Sequence, residues 1–244
     1  MGDTAADEPI KLRALDFARK NKKQIARKLT DPSEYLPEKD PVSVFMAGSP
    51  GAGKTEASKE LLIELQDDTP ILRIDPDELR LQFDEYDGTN AWIFQAATSI
   101  LVEKIHDLAL DQSQSFILDG TLSNFEVAER NIRRSLKKGR LVQILYVYQK
   151  PELAWQFVQA REEKEGRRIP AEQFVDQYFA ARENVNRLKQ LFRARIRVDL
   201  LLKNNDGSNR FYKNGVDQID YHIPEKYDRQ QVQALVGLES HRHE

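Results

Sequence analysis

Residues Gly48-Ser49-Pro50-Gly51-Ala52-Gly53-Lys54-Thr55 stand directly behind the apolar run Val42 to Met46 and directly ahead of a helical pattern. Strand, glycine-rich loop and helix in that order are the context of a Walker A phosphate-binding loop. The glycines let the backbone curl so that successive N–H groups point at phosphates. Lys54 adds a point charge on the β and γ oxygens, and the Thr55 hydroxyl ligates Mg²⁺. A glycine-rich turn that merely caps a helix needs neither the lysine nor the strand. The stretch therefore predicts a nucleoside triphosphate site, with ATP and GTP left open because the base pocket has no signature.

Outward from this loop, short β-rich runs alternate with longer helical patterns. Val42 to Met46, Ile71 to Ile74, Ser115 to Leu118 and Leu141 to Tyr148 read as strands. Helical segments separate them, which predicts right-handed βαβ units, a parallel sheet flanked by helices and an α/β P-loop NTPase fold. Leu61, Leu62 and Leu65 should face the sheet from the helix after the loop. The stripes Ile93, Ala97, Leu101, Ile105, Leu108 and Phe174, Tyr178, Ala181, Val185, Leu188, Phe192 read as core. Arg197 to Leu202 predicts a further strand, Asn204 to Gly207 a turn and Arg210 to Lys213 a return strand.

The chain of 244 residues is long enough for a full core, divided here into an N-terminal basic helix and linker (1–40) and a nucleotide-binding domain (41–244). Residues 11 to 28 carry eight basic side chains against one acid, Asp16. With Leu15, Ala18, Ile25 and Leu29 at helical spacing, this is a helix packed on the domain with a solvated face, or a contact for a partner. A net charge of -3 gives no global attraction to nucleic acid or an acidic membrane. The absence of cysteine removes disulfides, thiolate metal sites and cysteine nucleophiles. His106, His222, His241 and His243 offer no metal-ligand spacing beyond a weak terminal pair. No long apolar run and no signal-peptide core is present, so a cytoplasmic protein is expected.

In an open parallel sheet, ligands bind beyond the carboxyl ends of the strands. Two predicted strands end in carboxylates, at Asp75-Pro76-Asp77-Glu78 and at Asp119-Gly120-Thr121. Asp75, Pro76 and Glu78 suit a helix cap, which leaves Asp77 over as a candidate general base. Asp119 fits magnesium coordination through water, a substrate contact or a strand-end turn. Thr121 fits a substrate contact or a turn, and Ser123 with Glu126 suits the capping box of the next helix. Phosphoryl transfer also calls for arginine on the equatorial oxygens. Arg161 follows Ala154, Phe157 and Val158 on one helix face, where it needs an anion or a pairing with Glu165. The stretch from Glu162 to Pro170, with Arg167 and Arg168, reads as an arginine-bearing lid or as an exposed charged loop.

Taken together, these elements resemble the zeta toxin family of P-loop kinases, which phosphorylate the sugar of UDP-N-acetylglucosamine. The resemblance spans about residues 42 to 190 and rests on the loop Gly48 to Thr55, Asp75 to Asp77, Asp119 to Thr121, Arg161 and Arg167. It implies an ATP- or GTP-dependent, Mg²⁺-requiring kinase. Asp77 would act as base on the sugar 3′-hydroxyl, Asp119, Thr121 and Glu103 would hold the nucleotide-sugar substrate, and Arg161 and Arg167 would bridge the triphosphate, with Arg168 beside it. The alternative for Glu103 is a solvated position beside Ser99 and His106. Asp119 stands where well-known members have glutamate, and Leu122-Ser123 replaces a stretch where they place an arginine. The resemblance further implies an antitoxin partner, or inhibition of the nucleotide site by residues 11 to 30 themselves. A polynucleotide or other hydroxyl kinase guided by the basic helix, and a non-catalytic nucleotide switch, are the competing readings.

Overall fold

The structure is a computed structural model that describes residues 7–65, 70–166 and 168–238. In chain order it comprises α1 (Asp7–Leu29), β1 (Val42–Ala47), α2 (Lys54–Leu65), β2 (Leu72–Ile74), α3 (Pro76–Leu79) and α4 (Gln95–Asp111). These are followed by β3 (Phe116–Leu118), α5 (Phe125–Lys137), β4 (Leu141–Tyr148), α6 (Pro151–Glu165) and α7 (Ala171–Phe192). The last elements are β5 (Arg197–Lys203), β6 (Asn209–Lys213) and α8 (Arg229–Leu235). The six strands form one sheet in the order β2-β3-β1-β4-β5-β6, parallel except for the antiparallel edge strand β6. This is the α/β fold that the alternation of runs predicts, and the return strand pairs with β5 as expected.

Alternation along the strands divides two cores of unequal size. Val44, Met46, Ile117, Leu145, Val147 and Leu201 meet Ala57, with Leu61 and Leu62 of α2 packed at the margin. Leu65, expected on the same face, lies outside the side chains described. The opposite face carries Phe45, Leu72, Ile74, Phe116, Leu118, Ile144, Tyr146, Val198 and Leu200 against α4 and α7. Ala97, Leu101 and Ile105 of α4 are buried, as are all six residues of the expected α7 stripe. Because β2 sends Leu72 and Ile74 to the larger core, Arg73 between them is directed to the α2 side.

The basic helix packs as part of the domain. Ala14, Ala18 and Ala26 of α1 are buried where it lies along α4, and small residues at that spacing let two helix backbones approach closely. Phe17 meets Phe83 edge-on at 5.6 Å, and Arg13 forms a salt bridge with Glu85. The side chain of Gln114 donates to the carbonyls of Thr30 (3.0 Å) and Tyr35 (2.7 Å), which fastens the stretch expected as a linker. This packing agrees with a helix seated on the domain with a solvated face. Among the described residues no helix is long and apolar enough to cross a membrane.

If α1 is a wall of the domain, Ala18→Leu should overpack the α1–α4 contact and cost about 1–3 kcal/mol. Urea unfolding reads this as a lower midpoint, and an unchanged midpoint would detach α1 from the fold.

Candidate functional site

β2, β3 and β1 are neighbours, so the segments after them come together at one edge of the sheet. The phosphate loop leaves β1 with Gly48 at φ 136° and Gly51 at φ 71°, conformations that side chains rarely adopt. A Cβ at Gly48 would also strike the Val147 carbonyl, and one at Gly51 the Ala154 carbonyl of α6. The glycines therefore hold the loop tight against β4 and α6. Thr121, after β3, accepts a hydrogen bond from the Gly48 N–H at 3.3 Å, which links the two strand ends.

Four carboxylates, Asp75, Asp77, Glu78 and Asp119, and four cations, Lys54, Arg73, Arg80 and Arg161, meet there. Asp75 caps α3 by accepting from the Asp77 N–H at 2.8 Å, with Pro76 in the first turn. Glu78, expected in that cap, instead accepts from Arg73 at 2.6 Å. Arg73 also donates to Asp119 at 2.7 Å and to Asp75, so one buried guanidinium joins the ends of β2 and β3. Burial opposes its charge, but Asp75, Asp119 and Glu78 outweigh that and hold Arg73 more firmly protonated than usual. Burial raises the Asp75 carboxyl, Arg73 lowers it, and Asp77 and Asp119 raise it further, for a net upward shift. Asp119 lies 3.1 Å from the Ser58 hydroxyl, one turn into α2 from Thr55. Its second oxygen, Oδ1, takes none of the hydrogen bonds described.

Lys54 donates to the Ser49 carbonyl at 2.6 Å. Burial lowers its ammonium to about 8 against the pull of Asp119 and Asp77, and the nearby Arg161 guanidinium adds to the lowering. Lys54, Asp77, Asp119 and Arg161 therefore share one electrostatic centre. Asp77 is one-third exposed and is gripped by Arg80, whose other terminal nitrogen donates to Gln95 of α4 at 2.8 Å. Arg73, Arg80 and Gln95 are absent from the sequence reading. A basic residue inside an apolar strand, and an arginine three residues after a candidate base, are the signals that would have found the first two.

Other expected residues lie apart or engage differently. Glu103 is half-exposed on α4 and pairs with Arg130 of α5 at 3.8 Å, on the seam between those helices. Arg168 is exposed and 3.6 Å from Glu162. Arg167 and the Glu165 side chain lie outside what the structure describes. The Thr121 hydroxyl is 2.8 Å from that of Ser123, and the cap of α5 is Asn124, accepting from the Val127 N–H, rather than Ser123. Asn124 wins because it sits one residue closer to the first turn, where its carbonyl reaches the open N–H groups. α6 opens at Pro151 with Ala154 and Val158 buried, but Phe157 is 36% exposed. α6 runs on to Glu165, so the helix breaks at Gly166 rather than at Glu162. Gly166 packs against Thr89, which joins the α6–α7 turn to the loop that follows Asp77 and Arg80.

Comparison with known proteins gives a family model described as Zeta toxin that matches residues 25–217. No match was found among curated proteins. A structure of the PezAT chromosomal toxin–antitoxin system of Streptococcus pneumoniae is similar at TM-score 0.62 and 20% identity, covering 99% of this chain and 91% of that one. The AvrRxo1-ORF1:-ORF2 structure with ATP is similar at TM-score 0.56 and 18% identity, covering 83% of this chain and 65% of that one. At these identities the likeness is one of fold.

The lowered Lys54 predicts a cost. Its folded value near 8 lies below the unfolded value of 10.5, so the unfolded chain binds the proton more tightly and the penalty is fully present below pH 8. Lys54→Met should therefore raise unfolding stability by about 1–3 kcal/mol at pH 7, with the gain fading between pH 8 and 10.5. Denaturant melts of both proteins across that range check it. A gain that grows with pH would contradict the assignment.

Proposed function

The chain belongs to the zeta toxin family, and on that premise we propose that it is a kinase. It would transfer the γ-phosphoryl group of ATP or GTP to the sugar 3′-hydroxyl of UDP-N-acetylglucosamine or a related nucleotide sugar. The observation that carries this reading is the shared field of Lys54, Asp77, Asp119 and Arg161 beside the phosphate loop. A nucleotide switch would need the loop but not a carboxylate held in place by an arginine. The reaction needs both.

Asp77 takes the proton of the acceptor hydroxyl as that oxygen bonds to the γ-phosphorus and the bond to the β,γ-bridging oxygen breaks. Arg80 fixes the Asp77 rotamer and so acts as a positioning residue. Lys54 balances charge on the β and γ oxygens, and Arg161, with Arg167 in the same role, balances the equatorial oxygens of the transferring group. Thr55 and Asp119 would hold Mg²⁺, which screens the triphosphate when bound. The Oδ1 of Asp119, which takes none of the hydrogen bonds described, suits a bound water of that ion, and one or two protein ligands are usual for Mg²⁺ on a nucleotide. Thr121 and Glu103 remain proposals for the sugar-nucleotide side. The antitoxin of the family is proposed as partner, and a cytoplasmic location follows from the nucleotide requirement.

Incubation with γ-labelled ATP and a panel of nucleotide sugars, followed by mass spectrometry of the acceptors, tests the assignment. One added phosphate on the sugar is expected, and nucleotide hydrolysis with no acceptor modified would reject it. Asp77→Asn should lower turnover about 10² to 10⁴-fold with nucleotide affinity nearly intact, as for a lost general base. Steady-state kinetics beside nucleotide titration separate the two effects, and unchanged turnover would remove Asp77 from the chemistry.

A further inference from the structure

A second lysine stands against the phosphate loop. Lys203 ends β5, its residue is only 6% exposed, and none of the ion pairs or hydrogen bonds described involves its ammonium. Its Cε lies 3.2 Å, and its Nζ 3.8 Å, from where a Cβ on Gly53 would stand. The stem of Lys203 is buried while its ammonium, which is not among the fully buried orphan atoms, is held by none of the described partners, so the charge is delivered to the loop in a position open to an anion. Glu56, in the first turn of α2, comes within 3.8 Å of the same point but forms no ion pair with Lys203. Its carboxylate would repel phosphates arriving there.

Sheet order gives the triphosphate a direction. The carboxylates that receive the acceptor follow β2 and β3, on one side of β1, so the γ-phosphate must face that side. The remaining phosphates and the nucleoside then extend toward β4 and β5, where Lys203 waits. Resting on the nucleotide reading above, we propose that Lys203 is a second phosphate-binding lysine, which meets the α-phosphate of the nucleoside triphosphate. It offsets Glu56 and completes the charge balance that Lys54 begins at the other end. Beyond it, the exposed ring of Phe157 reaches within 3.8 Å of a Cβ position on Gly207, in the turn after β5. That leaves an aromatic face beside the path of the nucleoside.

Calorimetric titration of ATP, and of inorganic pyrophosphate, which lacks the third phosphate and the nucleoside, into wild type and Lys203→Met tests the proposal. The dissociation constant for ATP should rise about tenfold, the weight of one charge-assisted contact, while that for pyrophosphate stays within about twofold. Lys203→Arg, which keeps the charge, should restore most of the ATP affinity. Lys203→Gln provides the same split should the methionine variant not fold. Unchanged ATP affinity, or an equal loss for both ligands, would overturn the role of Lys203. Failure of wild type to bind ATP at all would instead overturn the nucleotide reading beneath it.

Discussion

Arg73 is the cation around which the functional edge is organised. It sits inside β2, directed to the α2 face, and its guanidinium meets Asp75 after β2, Asp119 after β3, Glu78 in α3 and Ser58 in α2. Without it, carboxylates from two strand ends would face one another in a desolvated space, and each would gain protons or move apart. With it, α3 begins where Asp77 is presented toward the loop. The pairing is thus a condition of the geometry rather than a surplus of stability. A buried ion pair is weak evidence for stability, but loss of one partner leaves the others uncompensated.

The same edge carries an opposed tension. On the proposed mechanism Lys54 serves as a cation, yet burial and Arg161 work against its charge. Asp77 and Asp119 only partly relieve this. A triphosphate would supply the missing anion, so binding relieves a strain that the ligand-free protein carries. Stability is given up where ligand charge is expected, which is a common relation between active sites and their scaffolds.

The architecture was legible because it rests on local periodicity. Apolar strands alternating with long helical stripes fix a parallel sheet, and the loop motif fixes which strand is central. The capping role of Asp75 could also be read, since Pro76 follows it directly. What the sequence hides are pairings between distant residues. The grip of Arg80 on Gln95 crosses fifteen positions and that of Arg73 on Asp119 forty-six, and nothing in the spacing announces either. Lys203 escapes for the same reason, because its meaning comes only from Gly53 lying beside it. The surroundings of Glu103 are also set by packing, since its pairing with Arg130 on the seam with α5 joins two helices that the sequence does not place side by side. Phe157 likewise falls on a helical stripe, but α6 buries only Ala154 and Val158 around it.

The central claim is that the phosphate loop and Asp77 face each other across a space that admits an alcohol. A crystal structure with a non-hydrolysable ATP analogue and UDP-N-acetylglucosamine tests this most directly. The account places the γ-phosphorus between Lys54 and the acceptor oxygen, with Asp77 in hydrogen-bond reach of that oxygen and Arg161 on the γ-phosphate. A triphosphate running the other way, with its γ-phosphate toward β5, or an acceptor held away from Asp77, would contradict it.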